Sequence, residues 1–259
     1  MKTFLGGLLM AALIATGAQA AVRTERIEYQ HGDAVLEGYL AYDDAVAGKR
    51  PGVLVVHEWW GLNDYARRRA EQLAQLGYVA FALDMYGKGI STTDAKEAGR
   101  LAGIFRNDRP FGRARAAAGL DVLKKRPQVD PARIAAIGYC FGGSVVLEMA
   151  RGGADLKGVV SFHGGLATPN PTDAKNIKGK VLVLHGADDT FESPAEIAAF
   201  QEEMRQAGVD WQMHYYGGAV HSFTNPDAGK AGIKGVAYNE AADRRSWQAM
   251  RNFFDEILK

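Results

Sequence analysis

Apolar residues along this chain fall into two alternating patterns. One is the short unbroken run: Val53–Val56, Tyr78–Leu83, Ile134–Tyr139, Val159–Phe162 and Val181–Leu184. Runs of this length without polar interruption fit strands buried on both faces of a sheet. The other is helical spacing. Ala66, Ala70, Leu73 and Leu76 share one side of a helix that Asn63 or Asp64 caps and Gly77 ends. The same spacing predicts helices over Ala95–Phe105, Arg113–Lys125, Ser144–Arg151 and Pro194–Ala207. A long terminal helix over Glu240–Leu258 lines up Trp247, Met250, Phe253, Phe254 and Ile257. Two strand-like stretches, Ile27–Tyr29 and Val35–Tyr42, flank the turn His31-Gly32-Asp33 and read as a hairpin. Trp211–Tyr216 is a further strand. Strands alternating with helices after an opening hairpin predict one α/β domain over residues 21–259. Its sheet is mostly parallel, with helices on both faces.

The first twenty residues follow a different rule. Lys2 precedes an apolar stretch from Phe4 to Ala15, Thr16-Gly17 breaks it, and Ala18-Gln19-Ala20 is a small-residue cleavage site. This order is that of a secretory signal peptide over residues 1–20, and its apolar stretch is short for a membrane span. The expectation is an exported chain that leaves the membrane once the leader is removed, with a bacterial periplasm as its destination.

Charge narrows the partners. With 31 Lys and Arg against 30 Asp and Glu, nothing electrostatic favours nucleic acid or an acidic membrane. A single cysteine, Cys140, allows no internal disulfide and no cysteine-based metal site. The H-E-x-x-H, P-loop and dinucleotide-binding motifs are absent. No metal and no organic cofactor is expected.

Chemistry-bearing residues gather just after predicted strands, where open α/β sheets place their sites. Gly138-Tyr139-Cys140-Phe141-Gly142 follows one strand and precedes an apolar helix. This is a cysteine version of the nucleophile elbow, in which glycines two residues to either side permit a sharp strand-to-helix turn. The helix N-terminus favours a thiolate there. His185-Gly186-Ala187-Asp188-Asp189 follows another strand and offers two candidate acids. Val220-His221-Ser222-Phe223 follows the last and offers a base. Nucleophile, acid and histidine in that chain order is the order of the α/β-hydrolases. His57-Glu58-Trp59-Trp60-Gly61 follows Val53–Val56, where such folds place one oxyanion donor. Glu58 there puts a carboxylate near the thiol, and Trp59 and Trp60 can wall a pocket.

Together these residues resemble the dienelactone hydrolase family, across essentially the whole chain after the leader. The resemblance implies an ester or lactone hydrolase with Cys140 as nucleophile, His221 as base and then acid, and Asp189, rather than Asp188, as its orienter. It also implies that Glu58 holds the resting cysteine and moves when substrate binds. The Trp59 and Phe141 backbone N–H groups would form the oxyanion hole. Family members bind a substrate carboxylate through an arginine four residues after the histidine, a position held here by Asn225. They use a second arginine in the helix after the fourth strand, for which Lys96 and Arg100 are candidates. With Trp60 these make up the expected substrate-binding set. The expected partner is a small-molecule ester or lactone, and the expected state is a monomer. A competing reading is a catalytically silent exported binding protein on the same fold. A thiol redox role would need a second, resolving cysteine.

Overall fold

A computed structural model describes residues 22–259; the leader expected over residues 1–20 lies outside the described residues. The hairpin is present as β1 (Val22–His31) and β2 (Ala34–Asp43), paired antiparallel along their whole length. It joins an eight-stranded sheet with β3 (Arg50–Val56), β4 (Val79–Leu83), β5 (Val129–Tyr139), β6 (Gly158–Phe162), β7 (Lys180–Gly186) and β8 (Trp211–Tyr216). The spatial order is β1-β2-β4-β3-β5-β6-β7-β8. From β4 to β8 every pairing is parallel, as the unbroken apolar runs require. Val53–Val56 are completely buried, and each such side chain contributes roughly 1.5–3 kcal/mol relative to exposure.

Helices cover both faces. α1 (Asp64–Gln75) and α6 (Glu240–Ile257) pack Leu73 and Phe254 against one face. α2 (Ala95–Asn107), α3 (Arg109–Lys124), α4 (Phe141–Arg151) and α5 (Pro194–Ala207) pack Leu101, Leu120, Val146 and Phe200 against the other. α3 begins four residues before the predicted Arg113. Asp108 caps it by accepting from Phe111 N–H, and Pro110 sits in its first turn, where a missing N–H costs nothing.

Helix capping sets α4 apart. Asn63, Asp94, Asp108, Ser193 and Asn239 each accept a backbone N–H at the start of α1, α2, α3, α5 and α6. α4 has Cys140 in that position and no side-chain cap. Its N-terminal partial charge is left open toward the thiol.

Candidate active site

The turn from β5 into α4 is as tight as the glycine spacing predicts. Cys140 adopts φ 53° and ψ −116°, a conformation costly for a residue with a side chain. A Cβ on Gly138 would lie 2.0 Å from the Gly142 carbonyl oxygen, and one on Gly142 would lie 2.2 Å from that of Val56. Only glycine fits at either place. The Cys140 N–H donates to Phe162 O at 3.0 Å and to His163 Nδ1 at 3.1 Å, which fastens the strained turn.

His221, after β8, comes within 3.1 Å of Cys140 Sγ through Nε2. Its Nδ1 lies 2.9 Å from Asp189 Oδ2. Asp189 Oδ1 is used as well, accepting from Phe191 N–H at 2.9 Å. Asp188 is exposed and does not contact His221. Burial alone would lower the His221 pKa, but the negative charge of the Cys140 sulfur and the Asp189 hydrogen bond push it up to about 10. The imidazole is thus held between the sulfur and a carboxylate.

The Trp59 and Phe141 N–H groups, expected as oxyanion donors, donate to no protein group among the described residues. The Trp59 loop is fixed nonetheless. His57 Nδ1–H donates to Glu58 O at 2.5 Å and its Nε2 accepts from Met85 N–H at 3.2 Å; Tyr86 Oη–H donates to Trp59 O at 2.9 Å.

Glu58 is buried beside the triad but does not hold the cysteine in this structure. Ser222 Oγ–H donates to its Oε1 at 3.2 Å and Asn225 Nδ2–H to its Oε2 at 2.7 Å. The thiol is left to His221. Burial raises the Glu58 pKa, against those two hydrogen bonds and the His221 charge. Asn225 therefore serves Glu58 through its amide nitrogen, while its oxygen accepts from Asp227 N–H. It brings no positive charge to a substrate carboxylate, as an arginine there would.

Trp59 and Trp60, with ring centroids 4.9 Å apart, line a cleft of about 280 Å³ above the triad. Lys96 and Arg100 do not reach it: both are exposed, and Arg100 pairs with Glu97 at 2.7 Å. The cleft meets the other end of α2, about 15 Å further along the helix from Lys96. Its cations are Arg106 and Arg109. Arg109 Nε is buried without a hydrogen-bond partner among the described residues, and burial lowers the guanidinium pKa.

Sequence reasoning also missed His163, Thr224 and Arg69. His163 accepts the Cys140 N–H, so its proton resides on Nε2, which donates to Thr224 Oγ at 2.7 Å. Thr224 Oγ pairs with Tyr65 Oη, and Arg69 donates to Thr224 O at 2.8 Å. Burial holds His163 well below the usual histidine pKa. His163-Gly164-Gly165 follows Phe162 directly, so the strand-end rule that found the triad also points to it. Among the described residues no group of three His, Cys, Asp or Glu side chains is placed to hold a metal ion.

A mostly parallel sheet carrying Cys140, Asp189 and His221 at the carboxyl ends of β5, β7 and β8 is an α/β-hydrolase. The model of the dienelactone hydrolase family matches residues 36–258, and the chain belongs to that family. It is 44% identical, with a TM-score of 0.89, to the crystal structure of a dienelactone hydrolase-like promiscuous phosphotriesterase from metagenomic libraries, covering 92% of this chain and 100% of that one. A second solved structure, m3DLH, is 46% identical with a TM-score of 0.90, over 92% and 100% of the two chains. Among curated proteins, one from Aquifex aeolicus named "Putative carboxymethylenebutenolidase" is 27% identical over 91% of this chain and 99% of its own.

Proposed function

We propose that this member of the dienelactone hydrolase family cleaves an ester or lactone through a thioester on Cys140. The observation that carries the reading is His221 poised between Cys140 Sγ and Asp189. The thiolate attacks the carbonyl carbon. The oxyanion that forms is met by the Trp59 and Phe141 N–H groups, and each such donor is worth roughly 10²–10³ in rate. The proton on His221 Nε2 passes to the leaving alkoxide. His221 then takes a proton from water, which attacks the thioester and frees the acid. Asp189 holds the ring in the tautomer this cycle needs. Arg106 and Arg109 favour a substrate with an anionic group, the part that Asn225 leaves unfilled.

The leader over residues 1–20 supports export to the periplasm. Expressed in a bacterium with two membranes, the mature protein is expected in the periplasmic fraction with its N-terminus at residue 21.

The test is a hydrolysis screen of the purified chain on aryl esters, small lactones, a dienelactone and a phosphotriester, with Cys140→Ala as control. The phosphotriester is included because of the similar phosphotriesterase. Ester or lactone turnover by the wild type, reduced at least about 10³-fold in Cys140→Ala, supports the thioester route. Full turnover by Cys140→Ala overturns it. No turnover of any substrate favours a binding protein on this fold.

A further inference from the structure

Glu192 lines the catalytic cleft, yet the mechanism above gives it no part. It stands in the loop between β7 and α5, half-buried. One carboxylate oxygen, Oε2, accepts the Leu166 N–H at 3.0 Å. The other, Oε1, accepts from no protein group among the described residues. Ser144 offers a second idle oxygen. It stands one helical turn beyond Cys140 on α4, lines the same cleft, and its hydroxyl makes no protein hydrogen bond among the described residues.

Gly165 brings the two together. A Cβ at this residue would lie 2.9 Å from Ser144 Oγ and 3.2 Å from Glu192 Oε1. Both oxygens therefore look onto the same small gap, kept open by the missing side chain. The gap is rigidly framed. Arg151, buried and paired with Glu148 and Glu203, donates to Leu166 O at 2.8 Å from behind. Glu192 Oε2 takes the Leu166 N–H, so the peptides on both sides of Leu166 are held. An acceptor held by one of its oxygens keeps the other aimed without loss of side-chain freedom on binding.

We propose that Glu192 and Ser144, converging over Gly165, form a specificity subsite that accepts a hydrogen-bond donor of the substrate, a hydroxyl or an ammonium group. The inference rests on the hydrolase reading and narrows its substrate class. Arg106 and Arg109 lie elsewhere on the cleft wall, on α2 and α3. A substrate filling both carries an acid at one end and a donor near the scissile carbonyl. A site built to receive a donor rejects an analogue lacking it, because its buried acceptors are then left unmet.

The experiment compares aryl esters of matched length whose acyl chains end in a hydroxyl, an ammonium or a methyl, assayed as kcat/KM. The proteins are wild type, Glu192→Gln and Gly165→Ala. The Gln side chain retains an oxygen for the Leu166 N–H but turns an NH2 group toward the gap. The wild type is expected to favour a donor ester over its methyl counterpart, and Glu192→Gln to lower that ratio roughly tenfold. Gly165→Ala fills the gap and is expected to lower the same ratio while the carboxylate remains. A larger loss for the ammonium ester than for the hydroxyl ester in Glu192→Gln assigns the subsite to a cation; equal losses assign it to a hydroxyl. Methyl and donor esters used equally well by the wild type, or a ratio unchanged in both variants, overturns the subsite and leaves the hydrolase reading intact. No turnover of any ester by the wild type overturns both.

Discussion

On the floor of the cleft, the side chains of Cys140, His163, Asp189 and His221 all have protein partners. Along its wall, Arg109 Nε, Ser144 Oγ and Glu192 Oε1 have none among the described residues. The two histidines of the floor show how far local partners decide behaviour. Their ring centroids are 5.4 Å apart, and both are buried. His221 sits between a sulfur and a carboxylate, and its pKa rises; His163 has only an amide and a hydroxyl as hydrogen-bond partners, so burial, with the neighbouring His221 charge, lowers its pKa. The floor is preorganised for charge that appears during a reaction. The wall holds unmet groups that a substrate would satisfy.

The sharpest break of this comparison lies in the two adjacent acids. Asp189→Asn is expected to lower kcat by up to about 10⁴, because the amide favours the wrong histidine tautomer. Asp188→Asn should stay within about twofold, and steady-state rates of the two variants decide it. The reverse result would remove Asp189 from the floor.

Next in size is the elbow itself. Gly142→Ala forces a Cβ against Val56 O and is expected to cost about 3 kcal/mol or more of stability, read as a fall in denaturation midpoint.

Proton binding at His221 sharpens the contrast between the histidines. Its pKa is higher in the folded chain than the roughly 6.5 of an unfolded histidine. The stability this adds is complete below about pH 6.5 and disappears as pH rises through about 10. The Tm gap between wild type and His221→Gln should therefore shrink across that window. In Cys140→Ala the largest raising influence is gone, and imidazole resonances in NMR should report a lower His221 pKa.

The smallest effect belongs to the wall. Arg109→Ala is expected to raise KM about tenfold for a carboxylate-bearing ester and to leave neutral esters nearly unaffected. Lys96→Ala and Arg100→Ala should leave both unchanged, since neither residue reaches the cleft.

Floor and wall also differ in how far the sequence exposes them. Gly138, Cys140 and Gly142 are dictated by local backbone geometry, and local geometry is written in neighbouring residues. Asp189 and His221 follow strands, so the sheet rule brings them to Cys140 without knowledge of side-chain packing. The wall has no such rule. Whether Arg100 or Arg106 faces the cleft depends on where α2 crosses the sheet edge and how far it runs, which tertiary packing decides. The turn of Glu58 toward Ser222 and Asn225 was equally hidden. It depends on Ser222 at φ 57°, a backbone state that a serine gives no reason to expect.

The sheet order has one further consequence, for folding. Cys140, Asp189 and His221 hang from β5, β7 and β8, and the parallel pairings that join these strands, β5 to β7 through β6 and β7 to β8 directly, can form only after long crossover connections close. Asp189 and His221 meet through the single crossover helix α5, but Cys140 reaches them only once β6 has paired between β5 and β7. Such non-local pairing slows folding, and a chain with a disordered β6 or β7 has no assembled site. Recovery of catalytic rate after dilution from denaturant should therefore lag behind recovery of helical signal, and the enzyme's own turnover times the last step of its assembly.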